Sequence, residues 1–574
     1  MTVSYSRHFQ TKETPQSQPI PGSTQVPNSA GGYAWAVDDW VRLDRFIVLG
    51  SENGSYYAME QKLTVENAEA TLRCIKSNGK RVVDRIVEIS EAGRAPKNDA
   101  ALFALAMAAG IGDEKTRRIA LDALPRVARI GTHLFSFLEN VRGFRGWGRG
   151  LRRAVGKWYS QEPAAVAYQV AKYRQRNGWT HRDVLRLASP IPVTPTHNAL
   201  FRWIVASEQM GDRDVARQNG KDTSSVMRHY GAVDAALLPP IISAFTEAQH
   251  AETAKDVVRI IAANPNLTWE MIPTGFLGEA SVWEALLPNL PMTALLRNLA
   301  RMTANGFVKP MSDAMRLVTE RLGDEERIRK ARVHPIAVLA ALMTYQGGHG
   351  TRGSLTWEPV SQVTDALDRA FYLSFGNVTP TNKRWLLALD VSGSMDSGEV
   401  AGVPRLTPRI ASAAMALVTA AVEPDHAFVA FTAGNYPSMW GTGKRGSGIM
   451  TLDISPRQRL DDVCGKISGL PFGGTDCALP MIWALENRIN VDVFTIYTDS
   501  ETWHGAIHPM QALNKYRQKM GIPAKLIIVG MVSNGFSIAD PNDRGAMDCC
   551  GFDTSTPALI SNFAIGFDHA EAQR

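Results

Sequence analysis

Asp390-Val391-Ser392-Gly393-Ser394 sets one carboxylate and two hydroxyls at alternate positions, directly after the apolar run Leu386-Leu387-Ala388-Leu389. A buried parallel strand presents side chains to a ligand in this way, at its C-terminal end. Two later segments carry matching groups. Thr475 follows Gly473-Gly474, and Asp499 closes the stretch Phe494-Thr495-Ile496-Tyr497-Thr498. Hydroxyl and carboxylate oxygens without histidine or thiolate suit a hard divalent cation, Mg²⁺ first and Mn²⁺ second, rather than Zn²⁺. Taken alone, Ser392 and Ser394 fit a turn and a helix cap equally well. Three such segments, each at a strand end or a glycine turn, favour the metal.

A second constellation spans residues 140–182. Arg142, Arg145, Arg149, Arg152, Arg153, Lys157, Lys172, Arg174, Arg176 and Arg182 stand against a single acid, Glu162. Spacing mostly by three and four places the first five along one helical face. Gly143, Gly146, Gly148 and Gly150 loosen the lead into a helix that starts near Gly148. Trp147, Trp158, Tyr159, Tyr168, Tyr173 and Trp179 are interleaved with the charges. Arginine contacts phosphate bidentately and aromatic rings stack on unpaired bases, so the stretch reads as an RNA surface, with His181 as a further candidate. Residue by residue, a solvated Arg face and an aromatic core are the plainer account. The unbalanced charge of the whole is what favours a polyanion.

The elements that must position these groups fall into two parts. A chain of 574 residues, 45% hydrophobic and 21% charged, is globular and too long for one core. Residues 1–30, rich in Pro, Ser, Gln and Thr, are expected to form a disordered tail. Residues 31–376 show helical periodicity broken at Gly, Pro and Asn, the pattern of antiparallel helix pairs stacked as an all-α solenoid. Residues 377–574 alternate strand and helix, with strands expected near 384–390, 426–432, 448–453, 491–498 and 525–531. That predicts an α/β domain with a doubly wound parallel sheet and ligands at the strand C-termini. Lys and Arg outnumber Asp and Glu by 46 to 37 up to residue 376, whereas the rest has 16 against 19. The cationic surplus therefore lies apart from the metal motif, which points to different partners for the two parts. Five scattered cysteines without zinc spacing, no membrane-length apolar run and no apolar leader at the N-terminus predict reduced thiols in a cytoplasmic protein with no membrane contact.

The D-x-S-x-S turn with its two partner segments resembles the von Willebrand factor A domain and its metal-ion-dependent adhesion site. That resemblance implies that Ser392, Ser394 and Thr475 touch the cation, while Asp390 and Asp499 act largely through water. Lys172-Tyr173-Arg174-Gln175-Arg176-Asn177-Gly178-Trp179-Thr180-His181-Arg182 resembles the Ro autoantigen family, whose helical part is the TROVE module. Gly131-Thr132-His133-Leu134-Phe135 and Trp283-Glu284-Ala285-Leu286-Leu287-Pro288 look like the same family. The resemblance, over about Tyr33 to Phe567, implies a multidomain protein: HEAT-like repeats closed into a ring, joined to the A domain. It further implies that single-stranded 3′ ends of misfolded RNA enter the hole, in RNA quality control. Small Y-type noncoding RNA would grip an outer basic face, with Lys172 and Arg176 at matching positions. Ala188-Ser189 stands where the family commonly has Ser-His, so one outer-face contact is absent. An exoribonuclease partner such as polynucleotide phosphorylase, tethered through a Y-like RNA, is implied as well.

Three functional classes follow. The first is a non-catalytic, monomeric ribonucleoprotein scaffold. The second is a metal-dependent adhesion module in which an acidic protein ligand completes the coordination shell. The third, a metal-dependent nuclease, is disfavoured, because two-metal phosphoryl chemistry needs clustered carboxylates and here hydroxyls outnumber them.

Overall fold

A computed structural model describes residues 13–49, 68–95, 97–211, 233–331, 333–350, 354–375, 380–396, 400, 406–433, 448–456, 458–470, 473–531, 535–551 and 556–565. Two short strands, β1 (Val26–Pro27) and β2 (Tyr33–Ala36), precede the helices. The helical run comprises α1 (Asp39–Leu49), α2 (Glu69–Ala92), α3 (Asp99–Ile111), α4 (Glu114–Val127), α5 (Gly131–Phe144), α6 (Arg149–Tyr159) and α7 (Pro163–Lys172). After the ribbon β3 (Gln175–Arg176) and β4 (Trp179–Thr180) come α8 (His181–Ala188), α9 (Pro195–Gly211), α10 (Pro240–Gln249), α11 (Ala254–Ala263) and α12 (Ala280–Leu286). The run ends with α13 (Met292–Ala304), α14 (Asp313–Leu322), α15 (Glu325–Lys330), α16 (Pro335–Gln346) and α17 (Ser361–Leu373).

Local chemistry explains many of these boundaries. Asp113 caps α4 by accepting from Thr116 N, and reciprocal Thr–Asp boxes, Thr180 with Asp183 and Thr253 with Asp256, open α8 and α11. Helix α3 is apolar on every side and correspondingly buried from Ala100 to Ala109. In contrast, α6 buries Leu151, Ala154, Val155 and Trp158 and leaves Arg152, Arg153 and Lys157 outside.

The early and late helices meet, so the solenoid closes. His334, ahead of α16, bonds the Arg94 carbonyl at 3.0 Å across 240 residues of sequence. Around that contact lies a cavity of about 650 Å³ walled by both ends of the run.

The α/β domain holds a six-stranded sheet in the order β11-β9-β8-β5-β6-β7: β5 (Trp385–Asp390), β6 (His426–Phe431), β7 (Ile449–Leu452), β8 (Val493–Thr498), β9 (Lys525–Gly530) and β11 (Ala546–Cys550). All neighbours are parallel except β6 and the edge strand β7, which run antiparallel. Helices α18 (Pro408–Val422), α19 (Leu460–Ser468), α20 (Leu479–Glu486), α21 (Pro509–Met520) and α22 (Thr556–Ile565) accompany it. Every residue of β5 and β8 is buried, as central parallel strands require.

This domain bridges both ends of the helical run. At one end β2 pairs with β10 (Phe536–Ser537), and Arg45 of α1 is ion-paired with Asp548. At the other, Asp365 of α17 pairs with Arg459, and Asp368 accepts the Leu460 N–H at 2.7 Å.

One expectation needs correction here. Residues 1–12 and 376–379, the latter around the expected domain boundary, lie outside the described residues, but residues 13–30 are not a disordered tail. They pack on the α/β domain, with Gln16 fully buried and Asn28 nearly so. Composition misleads because this strap is held by hydrogen bonds to polar loops 450–490 residues away rather than by an apolar core of its own. Its strand β1 and the following β2 likewise belong to a sheet with β10, not to the helices.

Candidate functional site

The oxygen-rich turn forms where β5 ends. Asp390 is fully buried; its Oδ1 accepts the Ser392 N–H at 2.9 Å and its Oδ2 the Thr498 hydroxyl at 2.6 Å. Ser392 Oγ and Ser394 Oγ lie 3.1 Å apart, and the Ser394 hydroxyl bonds Asp499. The Gly393 N–H donates to the Gly473 carbonyl, bringing the Thr475 loop alongside. The Thr475 carbonyl in turn accepts from the N–H groups of Trp503 and His504. All five residues singled out in the sequence, Asp390, Ser392, Ser394, Thr475 and Asp499, thus share one buried locus at the strand C-termini. Gly474 is needed for this approach, since a Cβ there would meet the Trp503 ring at 2.9 Å. Ser500 adopts φ +62°, a strained turn directly after Asp499.

Burial dominates the electrostatics. It pushes Asp390 up to about 7, reinforced by the neighbouring Asp499 charge, and raises Asp499 as well. Asp476 and Glu501 are also pushed up to about 7, burial again being the main cause.

Sequence reasoning overlooked two supports. Arg409, 1% exposed, donates to the carbonyls of Val391 and Leu470 and pairs with Asp396 at 2.8 Å. It is the one charged residue of an otherwise apolar helix, a signal available in the sequence. Gln16 donates to Asp476 and Ile507 O and accepts from Thr502, locking the strap onto the loops beside Thr475 and Asp499. Nothing local in the sequence marks Gln16.

Two hydroxyl oxygens bound side by side on an octahedral Mg²⁺ at about 2.1 Å sit about 3.0 Å apart. The Ser392–Ser394 separation fits that requirement. Among the described residues no group of three or more His, Cys, Asp or Glu could hold a metal, so any cation here depends on hydroxyls.

The basic stretch is divided rather than continuous. Arg142 lies in the last turn of α5 and Arg145 caps it, whereas Arg149, Arg152, Arg153 and Lys157 belong to α6; the single helical face expected for the first five does not form. The backbone between Phe144 and Arg149 is non-helical, as its glycines allow. Arg142, Arg145, Arg149, Arg152, Arg153, Arg174 and Arg176 are exposed and pair with no carboxylate among the described residues. Arg174 lies over the Phe245 ring at 5.7 Å.

Several assignments change. His181 is 1% exposed and cannot meet RNA: Tyr159 Oη bonds its Nδ1 at 2.7 Å and the Tyr173 carbonyl its Nε2 at 3.0 Å, and burial drives it down to about 3. Trp158, Tyr159 and Trp179 likewise fill the core, with indole N–H groups satisfied by Ala128 O and Glu139, so they offer no stacking face. Lys157 is exposed but paired with Asp122 at 2.7 Å. Lys172 has a side chain only 8% exposed, set beside the rings of Tyr168 and Tyr173 and 3.7 Å from Glu270; burial lowers its pKa. Arg182 is half-buried, with Nε unpartnered among the described residues.

The cavity inside the closed solenoid was not anticipated residue by residue. Arg129 and His133 line it from the early helices, Arg297 and His334 from the late ones, and no Asp or Glu among the described residues borders it. Burial, with Arg129 and Arg176 nearby, lowers His133 to about 4.

Comparison with known proteins matches this arrangement along the chain. The family model of the TROVE domain fits residues 26–344, and that of the Ro60 vWA domain fits residues 384–564. The protein named RNA-binding protein RO60 of Deinococcus radiodurans is 39% identical over 545 residues, covering 94% of this chain and 96% of its own. That of Caenorhabditis elegans is 34% identical, covering 97% and 92%. The crystal structure of the Deinococcus radiodurans RO (RSR) protein superposes with a TM-score of 0.65 at 38% identity, over 92% of this chain and all of that one.

Proposed function

Because this chain belongs to the Ro60 family, we propose that it is an RNA-binding scaffold that presents two separate surfaces to RNA. The single observation that carries this reading is the set of seven exposed arginines from Arg142 to Arg176 that no carboxylate pairs among the described residues. Unbalanced charge of this kind repels itself unless a polyanion offsets it. The relatives' name, RNA-binding protein, points the same way.

In this reading the exposed arginines on α5, α6 and β3 take structured, Y-type RNA. The central cavity with Arg129 and Arg297 takes a single-stranded 3′ tail of misfolded RNA. An exoribonuclease tethered through the Y-type RNA would then act on what the scaffold holds, which keeps the chain itself non-catalytic. Filter binding of a tailed duplex and of a structured hairpin, each across a salt series, tests this. Both affinities should fall steeply with salt. Failure of either RNA class to bind at low salt would refute its surface, and shortening of labelled RNA by the protein with Mg²⁺ would refute the non-catalytic role.

The oxygen cluster supports a second activity alongside the first. We infer that Ser392, Ser394 and Thr475 hold Mg²⁺ or Mn²⁺, with Asp390 and Asp499 ordering its water ligands and supplying charge. The cation would offset the crowding of buried carboxyls and offer an open position to an acidic protein side chain. Trp503, 40% exposed next to the Thr475 loop, gives such a partner an apolar contact. No helix among the described residues is long and apolar enough to cross a membrane. A cytoplasmic location for the scaffold agrees with buried cysteines that remain free thiols.

A further inference from the structure

The strap that precedes the solenoid places a fully buried glutamine against the loops of the oxygen cluster. Gln16 Nε2 donates to Asp476 Oδ1 at 2.7 Å and to the Ile507 carbonyl at 2.9 Å, while its Oε1 accepts the Thr502 hydroxyl. A glutamine amide offers two donor hydrogens and one acceptor oxygen, and each finds a partner here. Its backbone is engaged as well, with Gln16 N–H donating to Gly505 O at 3.1 Å and Gln16 O accepting from Tyr33 N–H at 3.0 Å. Asp476 directly follows Thr475, and Thr502 stands three positions after Asp499. One side chain therefore ties the loop carrying Thr475 to the loop carrying Asp499.

Other bonds close the same junction. The Thr502 hydroxyl accepts the Cys477 N–H at 3.3 Å, so it links Gln16 to both loops at once. Asn28, farther along the strap, donates from Nδ2 to the Thr502 carbonyl at 2.7 Å, and the Ala30 N–H donates to Glu501 at 3.2 Å. Glycines on both sides permit so close an approach. A Cβ on Gly505 would meet Asp476 Oδ2 and Gln16 Nε2, each at 2.7 Å, and a Cβ on Gly32 would meet Trp503 Cα at 2.7 Å.

A strap that served stability alone could fasten anywhere on the domain. Two of its contacts are of that kind: Gln511 of α21 accepts the Thr14 N–H at 3.1 Å, and Lys515 pairs with Glu13 at 2.6 Å. Gln16 and Asn28 engage Asp476 and Thr502 instead, immediately beside the residues assigned to the cation.

We propose that the strap is a working part of the cation site, with Gln16 as a positioning residue for the Thr475 and Asp499 loops, so that cation binding and strap docking strengthen each other. This coupling rests on the cation reading above and adds a regulator rather than a ligand. A small octahedral cation tolerates little error in the separation of its oxygens. If the docked strap raises cation affinity by fixing that separation, the cation must hold the strap by the same factor.

The test uses the full-length protein. Mn²⁺ binding is measured by calorimetry, and amide hydrogen exchange of residues 14–32 is followed without Mn²⁺ and at a concentration that saturates the wild type. Mn²⁺ should slow exchange of this segment about tenfold in the wild type and leave it unchanged in Asp390→Ala. Gln16→Met keeps a side chain of similar length but makes none of the three amide bonds. Its Mn²⁺ affinity should fall about tenfold, and the Mn²⁺-dependent protection of the strap should vanish. Gln511→Ala loosens the strap on α21 without touching either loop, so its Mn²⁺ affinity should stay within about twofold of wild type and the protection should persist.

Equal Mn²⁺ affinity in wild type and Gln16→Met, or strap exchange that Mn²⁺ does not change in the wild type, overturns the coupling and leaves the cation reading standing. Slowing that persists in Asp390→Ala overturns it too, because the ion then acts elsewhere. A tenfold loss of affinity in Gln511→Ala overturns the positioning role of Gln16. A wild type that binds no Mn²⁺ refutes the cation reading and the coupling together. Should Gln16→Met lose its native circular dichroism, the exchange of the wild type and Asp390→Ala decides alone.

Discussion

The oxygen cluster of the α/β domain and the basic stretch of the solenoid arrange their polar groups in opposite ways. At the strand ends, Asp390, Asp476, Asp499 and Glu501 are drawn inward and raised by burial, each held by a donor from another loop or from the strap. Between Arg142 and Arg176 the arginines are exposed while Trp158 and Tyr159 turn into the core. The first region is specific because Asp390, Asp476, Asp499 and Glu501 each accept from a donor distant in sequence, Thr498, Gln16, Ser394 and Ala30 respectively. The second is charged but loosely specified, which suits a surface that meets phosphates rather than base edges.

Four experiments press on that contrast, from the largest expected effect to the smallest. Asp390→Ala should weaken Mn²⁺ binding about 10–100-fold in calorimetry, by removing the carboxylate that orders the Ser392 turn, while leaving both RNA affinities unchanged. A matching loss of RNA binding would show that the regions are not independent.

Arg129→Ala with Arg297→Ala should lower 3′-tail affinity roughly tenfold. The log–log salt slope for single strands should drop by about 1.4 if each arginine meets one phosphate. Hairpin binding should be spared. Arg152→Ala with Arg153→Ala should give the reverse pattern, and loss of both RNA classes in either pair would merge the two surfaces into one.

His181→Phe keeps a ring in the core but strands Tyr159 Oη and the Tyr173 carbonyl, so a loss of about 1–3 kcal/mol is expected in denaturant unfolding. The pH dependence follows from its direction. The folded histidine sits near 3, below the unfolded value of about 6.5, so its stabilisation is complete above pH ~6.5 and declines as pH falls toward 3. His181→Phe should flatten that part of the stability profile. An unchanged profile would mean that His181 is not held neutral in the fold.

Lys157→Ala should change hairpin affinity less than about twofold, because Asp122 already balances that charge. A loss as large as that of the Arg152 and Arg153 pair would mean the ion pair opens when RNA arrives.

Much of this was legible in the chain. The apolar run 386–389 fixed β5 as a buried strand, and D-x-S-x-S at its end carried the oxygen cluster with it. The helical periodicity and its breaks at Gly, Pro and Asn carried the helix-rich character of the solenoid. Other features were not legible. Residues 13–30 have the composition of a free tail, yet Gln16 is buried because Thr502, Asp476 and Ile507 supply partners from the far end of the sequence. His181 and Lys172 look alike as polar residues in a basic run. Whether each faces water depends on how α8 and α7 pack, which no local pattern records.

Sequence alone determined the two kinds of chemistry: which oxygens close a strand, how positive charge is divided along the chain, and where helices begin. These are properties of residue type and spacing, and they act over a few residues. Tertiary structure decided which charges are exposed, which aromatics are core, and that Arg129 and Arg297 face one cavity. Those outcomes depend on contacts across hundreds of residues, where burial and hydrogen-bond partners, rather than local preference, set the environment of each group.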